Sequence, residues 1–155
     1  MKQFSKTNPD SLIYQNQVLS LSAIRNAQKR IKPFVHMTPI LTSTFINQVT
    51  NAKLFFKCEN FQRVGAFKIR GATNFVQQLS KQQAELGVVT HSSGNHGQAV
   101  AAAAKDRCIK STVVMPQSAS NVKKQAVASY GAQVVICEDG DEARSKSAAK
   151  FEARG

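Results

Sequence analysis

From residue 87 onward the chain alternates short apolar runs with helical stretches, and this alternation limits the possible folds more than any other feature. Gly87-Val88-Val89-Thr90 reads as a strand, Asn95 to Lys105 as an alanine-rich helix, and Ser111 to Met115 as a strand that Pro116 stops. Ser120 to Tyr130 reads as a helix capped by Ser120 and closed by Gly131. Gln133 to Cys137 is a further strand. Asp141 to Ala153 is a helix with acids in its first turn and Lys150 and Arg154 near its end, as the helix dipole prefers. Strands this short and apolar, separated by helices, are expected to pair in parallel through right-handed crossovers. The predicted fold class is therefore α/β: a parallel sheet with flanking helices. A β-α series normally returns to the sheet after such a helix, so the end at Gly155 reads as a cut.

The earlier part of the chain is less regular. Residues 1–18 read as a polar arm. Leu19 to Ile31 has helical apolar spacing, with Ser20 or Ser22 as cap and Pro33 behind it. His36 to Leu41 is extended, held so by Pro39. Thr42 to Val49 reads as a short helix capped by Thr42 or Ser43, Lys53 to Glu59 as a strand, and Asn60 to Gly65 as a loop. Lys68 to Leu79 reads as a helix with Ile69, Ala72, Phe75, Val76 and Leu79 on one face, and Gln82 to Leu86 adds a further turn.

Two stretches carry chemistry. Gly65-Ala66-Phe67-Lys68-Ile69-Arg70-Gly71-Ala72 sets one amine on a Gly-flanked turn at a helix start. The helix dipole favours anions there, so a lysine at that place asks for a reason other than helix stability. The alternative is one more surface lysine among 21 basic residues. His91-Ser92-Ser93-Gly94-Asn95-His96-Gly97-Gln98 is a polar turn between an apolar strand and a helix. Ordinary capping by Ser and Asn would account for part of it. Such a turn also lies at the carboxyl end of a strand, where open α/β sheets bind ligands and helix N–H groups meet anions. A lysine facing that turn is the arrangement needed to hold an aldehyde cofactor by a Schiff base and to grip a carboxylate beside it. His91 and His96 lack further Cys, His or acidic partners nearby, so no metal site is expected; His36 reads as structural.

Composition narrows the rest. The 155 residues are 42% hydrophobic, enough to build the core of one ordinary domain. No run of 18 apolar residues and no apolar stretch behind the N-terminal lysines occur, so neither a membrane span nor a secretory leader is expected. Cys58, Cys108 and Cys137 are widely spaced, which points to small buried residues and a reducing, cytoplasmic setting. The net charge of +12 raises nucleic-acid binding as a rival. The basic residues are scattered without interleaved aromatics, which counts against it.

Together the two stretches resemble the fold type II pyridoxal-phosphate enzymes, the tryptophan synthase beta-like family. The nearest subgroup is serine racemase with the serine/threonine dehydratases and threo-3-hydroxyaspartate ammonia-lyases. Further matches are His36-Met37-Thr38-Pro39-Ile40-Leu41-Thr42-Ser43, Leu54 to Glu59, Val114-Met115-Pro116 and Tyr130-Gly131-Ala132, so the resemblance runs from about Ser22 to Gly155. It implies pyridoxal 5′-phosphate bound through a Schiff base on Lys68, with Phe67 against the cofactor ring and Asn95 bonded to the ring 3′-oxygen. It implies that Ser92, Ser93, Gly94, Asn95 and His96 hold the carboxylate of a small amino acid. Lys68 and Ser93 would be the acid/base pair on opposite ring faces. Residues 19–80 would belong to the large cofactor domain and 81–155 to the small α/β domain.

The resemblance also implies a homodimer and a divalent cation in full-length members. Members run to about twice this length. The tetraglycine phosphate loop, the cation site and the C-terminal Ser-Gly-Gly-Asn region are absent here, so an incomplete, inactive half-site is expected. Ala66 stands where serine is frequent, and Ser120 replaces a proline. A nucleotide in the racemases lies near positions matching Ser43, Thr44, Arg63, Val64, Lys123 and Tyr130; Arg63 and Val64 depart from the racemase Lys-Thr pair, which counts against nucleotide activation. The rivals are threonine synthase or cysteine synthase within the fold, and a non-catalytic remnant or interaction module outside enzymology.

Overall fold

The computed structural model describes residues 20–153; the arm expected over 1–18 lies outside the described residues. Helix α1 (Leu21–Ile31) starts at Ser20, whose hydroxyl accepts a hydrogen bond from the Ala23 N–H at 3.1 Å. Strand β1 (Ile40–Leu41) pairs antiparallel with β2 (Phe56–Lys57) around α2 (Thr44–Thr50), which Ser43 caps. The strand expected over Lys53 to Glu59 is thus only two residues long. Its apolar run is β-prone, but a strand extends only as far as its partner does, and β1 is itself two residues.

The loop expected over Asn60 to Gly65 is instead two 3₁₀ turns, Glu59–Phe61 and Arg63–Gly65. Within the second turn the chain needs left-handed backbone at Val64 (φ 57°) and Gly65 (φ 67°). For β-branched Val64 this conformation is strained. Helix α3 (Lys68–Val76) follows, and α4 (Lys81–Leu86) opens with a capping box in which Ser80 and Gln83 satisfy each other's backbone.

Strands β3 (Val88–His91), β4 (Ser111–Pro116) and β5 (Gln133–Cys137) form the predicted parallel sheet in the order β3-β4-β5. Helices α5 (Asn95–Asp106) and α6 (Asn121–Ser129) connect them, and α7 (Asp141–Glu152) ends the described chain. Helix α6 begins after Ser120, but the Ser120 hydroxyl makes no capping bond, contrary to expectation. Gly131 closes α6 at φ 83°, its N–H bonded to the Ala128 carbonyl.

The core has two parts. Ile69, Ala72 and Val76 of α3 pack on Ala99, Val100 and Ala102–Ala104 of α5, with Ile109 beside them. Ala101 faces Val113, Met115 and Val127 on the other side. Cys58 and Cys137 are half-buried, but Cys108 is exposed, against the expectation that all three are buried. It sits just past the end of α5, where a Schellman turn leaves that position in solvent: its N–H reaches the Lys105 carbonyl and the Ile109 N–H reaches that of Ala104. No helix among the described residues is long and apolar enough to cross a membrane.

Candidate active site

The shared core of α3 and α5 decides where the two polar stretches go. Both helices begin with the motif residues and both bury an apolar face against the other. At their far ends Arg107 fixes the pair, donating to the Val76 carbonyl and, at 2.6 Å, to the Leu79 carbonyl. Val76 is the last residue of α3, whose carbonyl lacks an intrahelical donor, and Leu79 lies just beyond the helix.

Lys68 is the first residue of α3 and is exposed. Its ammonium lies 4.8 Å from the centroid of the Phe67 ring, a cation–π contact. Phe67 is itself 58% exposed, which leaves much of the ring accessible to a partner. The backbone before Lys68 is anchored from behind. Arg70 forms a two-point pair with Glu59, at 2.8 and 2.7 Å, and Glu59 also accepts from the Thr38 hydroxyl at 2.5 Å. The Arg70 guanidinium and the Thr38 hydroxyl together hold the Glu59 carboxyl at about 2, well below the usual carboxylate range. The positive charge of Arg70 is therefore matched locally, and its place in the motif is to orient the start of α3. Buried Gln62 ties the same region to His36, donating to the His36 carbonyl and accepting its N–H. Arg63 is held by Asp106 and by the Phe34 carbonyl.

The second stretch turns from β3 into α5. The Ser92 N–H donates to Val114, which continues the sheet, and the Ser92 hydroxyl accepts from the Gly94 N–H at 3.2 Å. Gly94 is the N-cap, and no side chain caps α5. The backbone N–H groups of Asn95, His96 and Gly97 find no acceptor among the described residues. The ordinary capping reading of Ser92, Ser93 and Asn95 thus does not describe this turn. Ser93, Asn95 and His96 are exposed. Gly97 is required by packing: a Cβ there would lie 2.8 Å from Val113 Cγ1 and 3.3 Å from Ser92 Cβ, so only glycine lets α5 settle against the strands.

Charge joins the two stretches. Desolvation, then the neighbouring charges of Lys68 and His91, hold the His96 imidazole below its ordinary value although more than a third of the residue is exposed. Helices α3 and α5 pack side by side with their last turns joined by Arg107, so Lys68 and His96 lie at the same end of the pair. His91, weighed in the sequence only as a metal ligand, is part of this electrostatic neighbourhood. Among the described residues no three His, Cys, Asp or Glu side chains gather. The Glu59–Arg70 pair and the Arg107 clamp were not legible in the sequence, because their partners lie 11 and 28–31 positions away and carry no periodic signal.

The donor set fits an aldehyde-bearing, ring-shaped anion with a carboxylate beside it: one amine, one accessible aromatic ring, and an uncapped helix start flanked by two hydroxyls. The fit is partial, since the 155 residues hold no pair of adjacent glycines from which a backbone phosphate cradle is built.

Comparison with known proteins gives the family of the chain. Residues 31–155 match the family described as pyridoxal-phosphate dependent enzyme. A serine racemase of Dictyostelium discoideum is 47% identical over 129 residues, covering 83% of this chain and 40% of the relative. A beta-hydroxyaspartate dehydratase of Paracoccus denitrificans is 50% identical over 127 residues, covering 82% of this chain and 40% of the relative. The solved structure of maize serine racemase superposes with a TM-score of 0.85 at 44% identity, over 89% of this chain and 42% of that one. The chain thus spans about 40% of the length of the curated relatives it matches.

Proposed function

Since this chain belongs to the pyridoxal-phosphate dependent enzymes, we propose that it is the lysine-bearing part of an ammonia-lyase or racemase for small hydroxy amino acids such as L-serine, L-threonine or 3-hydroxyaspartate. The observation that carries the reading is the meeting of two uncapped helix starts at one place, with the Lys68 amine and His96 within each other's field. Residues 19–80 would sit with the larger cofactor domain and 81–155 form the smaller one.

Lys68 Nζ is the amine that would hold the cofactor's aldehyde carbon, with Phe67 against the ring and Asn95 at its 3′-oxygen. Bound there, pyridoxal phosphate supplies an electron sink for the bonds at the substrate Cα. The protein's own residues do the rest. The free N–H groups of Asn95, His96 and Gly97, with the Ser92 and Ser93 hydroxyls, would bind the substrate carboxylate at the helix N-terminus. A neutral His96 would add a hydrogen bond without repelling the Lys68 ammonium. Lys68 Nζ would take the Cα proton on one face and Ser93 Oγ would hold a proton on the other. Loss of that proton with the β-hydroxyl as water, followed by hydrolysis, gives a keto acid and ammonia; proton return from Ser93 gives the mirror-image amino acid.

The test is borohydride reduction of the chain with pyridoxal phosphate, followed by peptide mass spectrometry. Selective labelling of Lys68, lost in Lys68→Ala, supports the reading, and labelling scattered over many lysines overturns it. Because a phosphate cradle is absent from the sequence, the 155-residue chain alone is expected to turn over neither L-serine nor L-threonine; keto-acid release above the Lys68→Ala background would refute that.

A further inference from the structure

A cleft lies between the last turn of α1 and residues 35–37, with a volume of about 640 Å³. Neither Lys68 nor any residue of the Ser92–His96 turn lines it. Its walls are largely apolar, supplied by Ile31, Val35 and Met37 and by the carbon stems of the lysines around it. Met37 is 87% exposed at its mouth.

The charges around the cleft are of one sign. Lys29, Lys32, Lys57 and Arg70 all line it. The acid beside them is Glu59, whose two oxygens are already taken by Arg70 and Thr38. Helix α1 contains no acidic residue, and Lys29 and Lys32 form no ion pair among the described residues. The Lys57 ammonium donates one hydrogen bond, to the Thr38 carbonyl at 2.6 Å, and keeps two donors for a ligand. The C-terminal end of α1 opposes this with about half a negative charge. That is smaller than the cations it faces.

We infer that this cleft binds a small organic anion with an apolar body, of the aryl phosphate class. The apolar walls take the ring, and Lys29, Lys32 and Lys57 take the charged end. An anion alone would leave the walls wet, and a neutral ring would leave the cations unpaired.

The probe is phenyl phosphate, titrated into the ¹⁵N-labelled 155-residue chain and followed by amide chemical shifts. Saturable shifts are expected over residues 28–37 and at Lys57 and Arg70. The Lys29→Gln/Lys32→Gln variant changes only exposed side chains and should weaken binding by about tenfold. Added salt should weaken the unmodified chain's binding in the same direction. The inference is overturned if the shifts gather at residues 92–97 instead, or if the double variant binds as tightly. Equal binding of neutral benzyl alcohol, or of inorganic phosphate, would also overturn it.

Discussion

Glu59 carries a larger share of the site's order than its exposure indicates. Its carboxylate is held at about 2 by Arg70 and Thr38, against the ordinary glutamate value of 4.5. A carboxyl depressed in the folded state stabilises that state above its ordinary value. The contribution is lost as pH falls from about 4.5 toward 2. Acid unfolding followed by circular dichroism should therefore show a loss of stability in that window, and Glu59→Gln should remove it while lowering stability at pH 7. His96 has the opposite consequence for function. Its imidazole is disfavoured as a cation, so proton NMR should give a titration midpoint below the ordinary histidine value, moving up in Lys68→Ala. Cys108 occupies a left-handed position at φ 56°, which glycine adopts without penalty. Cys108→Gly should stabilise the chain by about 0.5–1 kcal/mol in urea unfolding, because the left-handed strain outweighs the added freedom of the unfolded chain. Of these residues, Lys68 and the Ser92–His96 turn could be read in the sequence because their type and neighbours are local facts. Glu59, Gln62 and Arg107 act through partners that only the fold brings near.

The elements divide along the same line. From Val88 to Glu152 the sequence expectations agree with the observed bounds to within a residue or two, because period and punctuation are both strong there. Between Lys53 and Gly65 they do not, because a two-residue strand and two 3₁₀ turns depend on pairing and on long-range bonds from Gln62 and Arg63. The contact of α5 with the sheet can be tested directly. Gly97→Ala places a methyl against Val113 Cγ1, which is fully buried and cannot swing clear. A loss of about 1–3 kcal/mol is expected in denaturant unfolding, together with weaker Lys68 labelling, since the Ser92 turn must shift with the helix. Unchanged stability would mean that the strand yields at little expense.

For the molecule as a whole, the packing is uneven. Strand β4 and α5 are well covered, whereas Ile40, Leu41, Phe45, Val49, Phe55 and Phe56 are all exposed. Leu41 and Phe56 are paired across β1 and β2, and exposed apolar residues gathered in this way mark a contact face. The relatives, of which this chain spans about 40%, have further polypeptide to place there. Sedimentation of the 155-residue chain should show self-association that Phe45→Ser/Phe55→Ser reduces; a monomer at every concentration would mean that water tolerates the face as it stands.

Helix α5 has little room for mutation. Residues 99–104 are six consecutive positions, more than a full turn, and every one is buried. Most helices keep an outer face on which substitutions accumulate at little expense. This one has none between Ala99 and Ala104, and five of the six side chains are single methyl groups. In a saturation library scored for soluble expression, the tolerated alphabet there should shrink to alanine, glycine and serine, with a larger aliphatic accepted only at Val100. The segment between the site and the Arg107 clamp would then vary least of any in the chain, without itself touching a ligand.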